Sequence, residues 1–213
     1  MYASAEVGLL FLNQGDLPRV LSLLERAVAI CQDVDFPLWF PRMAAVLSMA
    51  YALSGRIADV VPLLTRAMEQ AMERGNSRSL GRLLGEAQLL AGRLDEAHAL
   101  VERVLAHART HQECGHEAYA LHLLGTIAAR RDPPEAEQAV AHYQQAVALA
   151  EELGMRPLVA HCHRGLGTLY AATGQWEPAR AALATAIEMY RGMAMPFWLP
   201  QTEEALAQVE AHG

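Results

Sequence analysis

The side chains best equipped for chemistry are nine histidines and three cysteines in a chain of 213 residues. One short run gathers four of them, His107-x-x-x-His111-x-x-Cys114-x-His116. Imidazole and thiolate are ordinary zinc ligands, and two histidines one helical turn apart share a face. A loop after them could swing Cys114 or His116 round to complete a shell. The competing reading is a solvated helix end, where histidines sit favourably near the negative pole of the helix dipole. Spacing alone does not fix ligand geometry, so no metal is expected. His161-Cys162-His163 is a weaker candidate, because adjacent helical residues point in different directions.

Other chemistry is scarce. All 17 basic residues are Arg, which removes Schiff-base chemistry, a lysine base and a P-loop lysine. Gly165-Leu166-Gly167 lies in a helical pattern rather than after a strand, so it is not a phosphate loop. Glu151-Glu152 and Glu203-Glu204 are consecutive on helices and face apart. Neither serine nor threonine occurs in a nucleophile elbow. No catalytic residues, no enzymatic activity and no cofactor are expected.

Composition narrows the class further. A formal charge of -7 argues against an electrostatic grip on nucleic acid or an anionic membrane. Cys31, Cys114 and Cys162 are widely spaced and form no CxxC, which fits a reducing cytoplasm. No apolar run approaches the roughly 20 residues that span a bilayer. No basic region precedes Val7–Leu12, so the N-terminus does not read as a signal peptide. The expectation is a cytoplasmic protein whose 53% hydrophobic residues suffice for a core.

The elements that must position any site are helices. Apolar residues recur at three and four, and Ala, Leu, Arg, Glu, Gln and Met dominate. Asp16 and Asp132 can cap helices that start at Pro18 and at Pro133–Pro134, and Trp176–Pro178 opens another. Five turns, Asn13–Asp16, Ser54–Arg56, Ala91–Arg93, Arg131–Pro134 and Thr173–Gln175, each separate two helical segments.

The segments repeat. A small residue recurs at Gly8, Ser48, Gly85, Gly125 and Gly167, with spacings of 40, 37, 40 and 42. Twelve residues beyond it come Val20, Val60, Ala97 and Ala179, with Ala139 after a two-residue insertion. Seven further on come Ala27, Ala67, Val104, Ala146 and Ala186. Such a period marks an α-solenoid. Small residues facing each other across a hairpin would let two backbones approach, and a later one would admit the next hairpin. This is how a hairpin too small to fold alone buries its face.

The pattern Leu166-Gly167-x-x-Tyr170…Ala179…Leu183…Ala186 resembles the tetratricopeptide repeat, and the other four units match less completely. Units are longer than the usual period of about 34, and prolines sit between units at Pro37, Pro41, Pro157, Pro196 and Pro200. HEAT-like repeats share the longer period but do not require the paired Gly and Ala. The resemblance implies an all-α solenoid of five hairpins, at about 1–35, 36–75, 76–113, 114–154 and 155–193, with a capping helix at about 197–211. Met195-Pro196-Phe197-Trp198-Leu199-Pro200 echoes Phe36-Pro37-Leu38-Trp39-Phe40-Pro41, which makes Gln201–Ala211 a sixth first helix with a polar outer face. By contrast, Val7, Leu9, Leu10, Phe11 and Leu12 make the opening helix apolar nearly all round. It expects cover from a preceding segment or from another copy of the chain.

In arrays of this resemblance the first helix of each hairpin lines a concave surface. The matching positions here are Tyr2, Leu9, Asn13, Arg42, Met49, Arg82, Glu86, Tyr119, His122, Thr126, Arg130, His161, Arg164, Thr168, Glu204 and Gln208. Four Arg and two His against three Glu (with Glu6) suggest an acidic or extended protein or peptide partner. The Asn and Lys of the clamp for chaperone C-terminal carboxylates are absent. The resemblance extends to C-terminal repeat segments of bacterial multidomain ATPases, cyclases and transcriptional regulators. It implies an interaction module, or alternatively a small-ligand sensor controlling an upstream domain.

Overall fold

The computed structural model describes residues 2–14, 16–33, 39–73 and 77–212, with side chains from residue 5 onward except 13, 14, 71–73 and 77–80. The turn at Asn13–Asp16 and the Phe36–Leu38 segment therefore lie partly or wholly outside the described residues, as do the side chains of Tyr2 and Asn13. Among the described residues there are eleven helices and no strand: α1 (Tyr2–Gln14), α2 (Leu17–Asp33), α3 (Phe40–Leu53), α4 (Ile57–Glu73), α5 (Ser77–Leu90), α6 (Leu94–His111), α7 (Cys114–Arg130), α8 (Ala136–Glu152), α9 (Arg156–Ala172), α10 (Trp176–Gly192) and α11 (Leu199–His212). The fold is the expected all-α solenoid of helical hairpins with a terminal cap. The chain forms two compact units, Met1–Arg103 and Val104–Gly213, divided within α6.

In the first unit α1 packs on α2 and α3 on α4, while α3 also touches α1 and α5. In the second, α7 packs on α8 and α9 on α10, α9 touches α7, and α11 covers α10 and α9. Within the first unit α1, α3 and α5 thus lie beside one another, and within the second α7, α9 and α11 do.

Three of the turns share one mechanism. Gly55, Gly92 and Gly174 adopt φ of +75°, +77° and +75°, a conformation that costs glycine nothing. In each, the next N–H reaches five residues back: Arg56 to Tyr51 O at 2.8 Å, Arg93 to Gln88 O at 3.0 Å and Gln175 to Tyr170 O at 2.8 Å. That closes a Schellman motif and satisfies carbonyls the helix end would leave orphaned. The fourth turn is two residues longer, and Glu135 N–H reaches Ala128 O at 3.0 Å instead. Asp16 caps α2 as expected, accepting from Arg19 N–H at 3.3 Å. Asp132 does not cap α8. That helix begins at Ala136, after Glu135, so Pro133 and Pro134 belong to the turn rather than to the first helical turn.

The glycines of the repeat meet large residues, not the small ones expected opposite them. A Cβ on Gly8 would lie 3.1 Å from Leu24, on Gly85 2.6 Å from Val101, on Gly125 3.0 Å from Tyr143 and on Gly167 2.6 Å from Leu183. Each partner stands four residues, one helical turn, beyond the small residue that the sequence pairs with that glycine. Val20, Ala27, Ala67, Ala97, Ala139, Ala146, Ala179 and Ala186 are all buried, as is Ser48. The rule is therefore a knob in a notch: a missing Cβ on one helix admits a bulky side chain from the next.

The ends differ as their sequences suggest. On α11, Thr202 and Val209 are buried while Glu203, Glu204, Gln208 and Glu210 are exposed. Val209 packs with Ala179 and Leu183, and Trp176 stacks on His212 at 5.5 Å. On α1, Ala5 and Leu12 are buried and Leu9 and Phe11 pack on the core. Val7 and Leu10 remain 37% and 54% exposed. Among the described residues of α1 the uncovered apolar face is Val7 and Leu10 rather than the whole circumference.

Candidate functional site

The first helices of the second unit bring several of the partner-binding candidates together. On α7, His122 and Thr126 are one turn apart; on α9, His161, Arg164 and Thr168 follow at helical spacing. The His122 and His161 rings lie 6.2 Å apart. Thr168 is exposed, and its hydroxyl donates to Arg164 O at 3.0 Å. Tyr119 is half-buried and Arg130, in the last turn of α7, is exposed.

Two tyrosines from second helices rise between these candidates. Tyr143 of α8 is buried and reaches through two notches. A Cβ on Gly125 would meet its ring at 3.0 Å and one on Gly165 would meet Cζ at 2.5 Å. Its hydroxyl donates to Thr126 Oγ1 at 3.0 Å, and Thr126 donates to His122 O at 3.0 Å. Tyr190 of α10 is wholly buried, with its oxygen 2.7 Å from His161 Nδ1. Arg164 donates to Tyr190 as well. Arginine has no acceptor, so the tyrosine oxygen accepts from it, while Tyr190 and His161 Nδ1 share one hydrogen bond. Arg164, Tyr190 and His161 are thus linked in one chain of contacts. Trp198 completes the cluster. Its ring meets His161 edge-on at 4.9 Å, and the Arg164 guanidinium lies over it at 4.9 Å.

The electrostatics are one-sided. Burial, followed by His122 and Arg164, holds His161 down to about 3, so it is neutral at ordinary pH. Although Arg130 is exposed as a whole residue, desolvation of its guanidinium lowers it, with Arg164 adding repulsion. Burial pushes Tyr143 up to about 12 and Cys162 up to about 12, leaving both protonated. None of these groups is poised as a base or nucleophile.

The His161 shift makes stability depend on pH. The unfolded histidine titrates near 6.5, so below that value the unfolded chain takes up a proton that the folded chain refuses. Stability is complete above about 6.5 and falls as pH drops toward 3. Between pH 7 and pH 5 the loss is about 2 kcal/mol. Denaturation of the parent and of His161→Gln across that range measures it: the parent should fall by about that much more than the variant.

The first unit is different. Arg42 is ion-paired with Glu6, and Arg82 with Glu86 at 3.1 Å. Burial raises the Glu86 carboxyl, and Arg82 opposes the shift. Met49 is only 6% exposed and belongs to the core, so it offers a partner no surface. The periodicity placed it on the right helix but could not show how completely the neighbouring helices cover it.

The histidine run does not converge. His107 and His111 rings lie 3.9 Å apart, with His111 Nδ1 2.9 Å from His107 O. Cys114 Sγ is turned to Gln112 O at 3.6 Å, and His116 is exposed on α7. Among the described residues no three His, Cys, Asp or Glu side chains are grouped to hold a metal. Nor, among them, is any helix long and apolar enough to cross a membrane.

Tyr143, Tyr190 and Trp198 were not among the sequence-derived site residues. One signal existed. Tyr190 stands where the other second helices carry Cys31, Ala71, Ala108 and Ala150, so it breaks the repeat's small-residue rule.

Residues 117–192, covering α7–α10 almost entirely, match the family model of the tetratricopeptide repeat. That segment carries tetratricopeptide repeats. Among solved structures, BtubC (BKLC) from P. vanneervenii is similar at 20% identity with a TM-score of 0.65, covering 92% of this chain and 84% of its own. A putative kinesin light chain of Podosopora anserina, with nearly identical TPR-like repeats, is similar at 20% identity and a TM-score of 0.58, covering 91% and 95%. These likenesses show that the tetratricopeptide fold extends beyond the matched segment. No curated protein matches the sequence.

Proposed function

We propose that this tetratricopeptide array is a non-enzymatic scaffold that binds an extended, acidic protein segment on the first-helix face of its second unit. The observation that carries this reading is the contrast between the units. Arg42 and Arg82 are engaged by Glu6 and Glu86. The second unit instead sets Arg164 among aromatic rings, beside a neutral His161. An acidic segment supplies the missing charge at a surface already held rigid by the two tyrosines.

Selection of peptides by display on the full chain tests it, with each selected peptide then titrated against Arg164→Glu and against Gln144→Glu on the exposed side of α8. Loss of binding by the first variant alone supports the reading. Equal binding to both refutes it. We take the array to be the interaction module of a larger bacterial regulatory protein, working in the cytoplasm. In the alternative reading a small molecule, not a peptide, occupies the same face and controls a neighbouring domain. Selection that yields no peptide while a small carboxylate binds favours that alternative.

The same reading includes self-association through α1. Val7 and Leu10 are one turn apart and exposed, and burying such side chains gains about 25 cal/mol per Å2. Sedimentation at micromolar concentration should show a concentration-dependent dimer that Leu10→Glu abolishes. A monomer at all concentrations removes this element.

A further inference from the structure

Around Trp198 the second unit holds more hydrogen-bond donors than acceptors. The Arg164 guanidinium lies over the indole and donates to Tyr190, but forms no ion pair with a carboxylate among the described residues. The indole Nε1–H is buried without an acceptor. His161 Nδ1 is engaged by Tyr190 at 2.7 Å, which holds the imidazole against this cluster. Tyr190 itself is already engaged by both Arg164 and His161. A group of donors with one uncompensated charge is an anion site in its chemistry. Every other arginine of the sequence-derived surface either has a glutamate partner, as Arg42 and Arg82 do, or lies at a helix end, as Arg130 does.

We propose that Arg164, lying over Trp198 and backed by Tyr190 and His161, is a recognition site for a single carboxylate. One guanidinium supplies one charge, which suits a monoanion better than a phosphate dianion. Its planar N–H edge matches the two oxygens of a carboxylate. Tyr190 and Trp198 fix the guanidinium on two sides, so little side-chain entropy is lost on binding. The inference rests on the proposed peptide reading for its macromolecular source, but the carboxylate chemistry stands apart from it.

The test uses the full chain with Trp39→Phe and Trp176→Phe, so that Trp198 alone reports by fluorescence. The probes are sodium acetate against sodium chloride at equal ionic strength, and three short peptides derived from one selected on the chain, the first two blocked at both ends. One peptide keeps an internal Asp, one has Asn in its place, and one has that Asn with a free C-terminal carboxylate. The expected result is binding of the Asp peptide at least about tenfold tighter than its Asn counterpart. Arg164→Gln should erase that difference and Arg164→Lys retain part of it. Tight binding of the third peptide would identify a chain terminus as the source. Equal binding of the Asp and Asn peptides overturns the carboxylate site while leaving peptide binding intact. A saturable response to acetate without binding of any peptide sustains the site and defeats the peptide reading. No response to any probe defeats both, and the acetate arm needs no variant at Arg164.

Discussion

Gly167→Leu should lower the melting temperature of the chain by about 5–10 °C. The argument is geometric. A Cβ at this position falls 2.6 Å from Leu183 Cγ and 3.1 Å from the Leu183 backbone nitrogen. The first contact is impossible without movement, and the second means that rotating Leu183 does not relieve it. Leu183 is fully buried, so it has no free space to enter. Overpacking of this kind costs about 1–3 kcal/mol or more, and each kcal/mol moves the midpoint of a chain this size by about 2–4 °C. Gly115 is the control: a Cβ there meets nothing within 4 Å, so Gly115→Ala should leave the melting curve in place. An unchanged midpoint in Gly167→Leu would show the helix register to be wrong.

Tyr143→Ala should cost more, about 3–5 kcal/mol, as for other large aromatic truncations in cores. The ring fills the space that Gly125 and Gly165 leave open, and glycines cannot collapse into the void. Tyr143→Phe keeps the ring and loses only the bond to Thr126 Oγ1, so it should cost about 1 kcal/mol. Coupling separates packing from other causes. Gly165→Ala clashes with the tyrosine at Cζ and at the hydroxyl, and should be far less damaging when Tyr143→Leu supplies the smaller knob seen at Leu24 and Leu183. Urea denaturation of the four combinations measures this as a double-mutant cycle. Additive effects would mean that the two residues do not share a notch.

These residues show which parts of the molecule were legible in sequence. The helices are legible because a similar pattern recurs in five units and because glycine in a helix interior is unfavourable unless something demands it. What the glycines were for did not come through. A period identifies positions that share an environment, but not which of two neighbouring positions on the opposite helix fills a notch, and the pairing was displaced by one turn. Gly165 was dismissed along with the phosphate-loop idea, yet a second helical glycine two residues before Gly167 was itself a sign of close approach. The Asp132 cap failed because Pro133 and Pro134 look alike as helix starters and as turn residues.

The binding candidates divided for a related reason. Position in the repeat places a side chain on the first helix, but ion pairing is decided between helices. Glu6 and Arg42 are 36 residues apart, and nothing local pairs them. Met49 lay on the chosen line yet is covered. Arg164 lacks a glutamate and is flanked by Tyr190 and Trp198, which reach it from α10 and from the segment before α11.

The central claim is that a partner lies along α7 and α9 of the second unit. The most direct measurement is the change in backbone and side-chain NMR signals as a display-selected peptide is titrated into the full chain. The expected result is that His122, Thr126, Arg164, Thr168 and the Trp198 indole shift together and saturate with one affinity, while Gln144 on α8 and Glu188 on α10 stay still. Shifts concentrated on Gln144, Glu188 and their neighbours, with α7 and α9 unmoved, would contradict it.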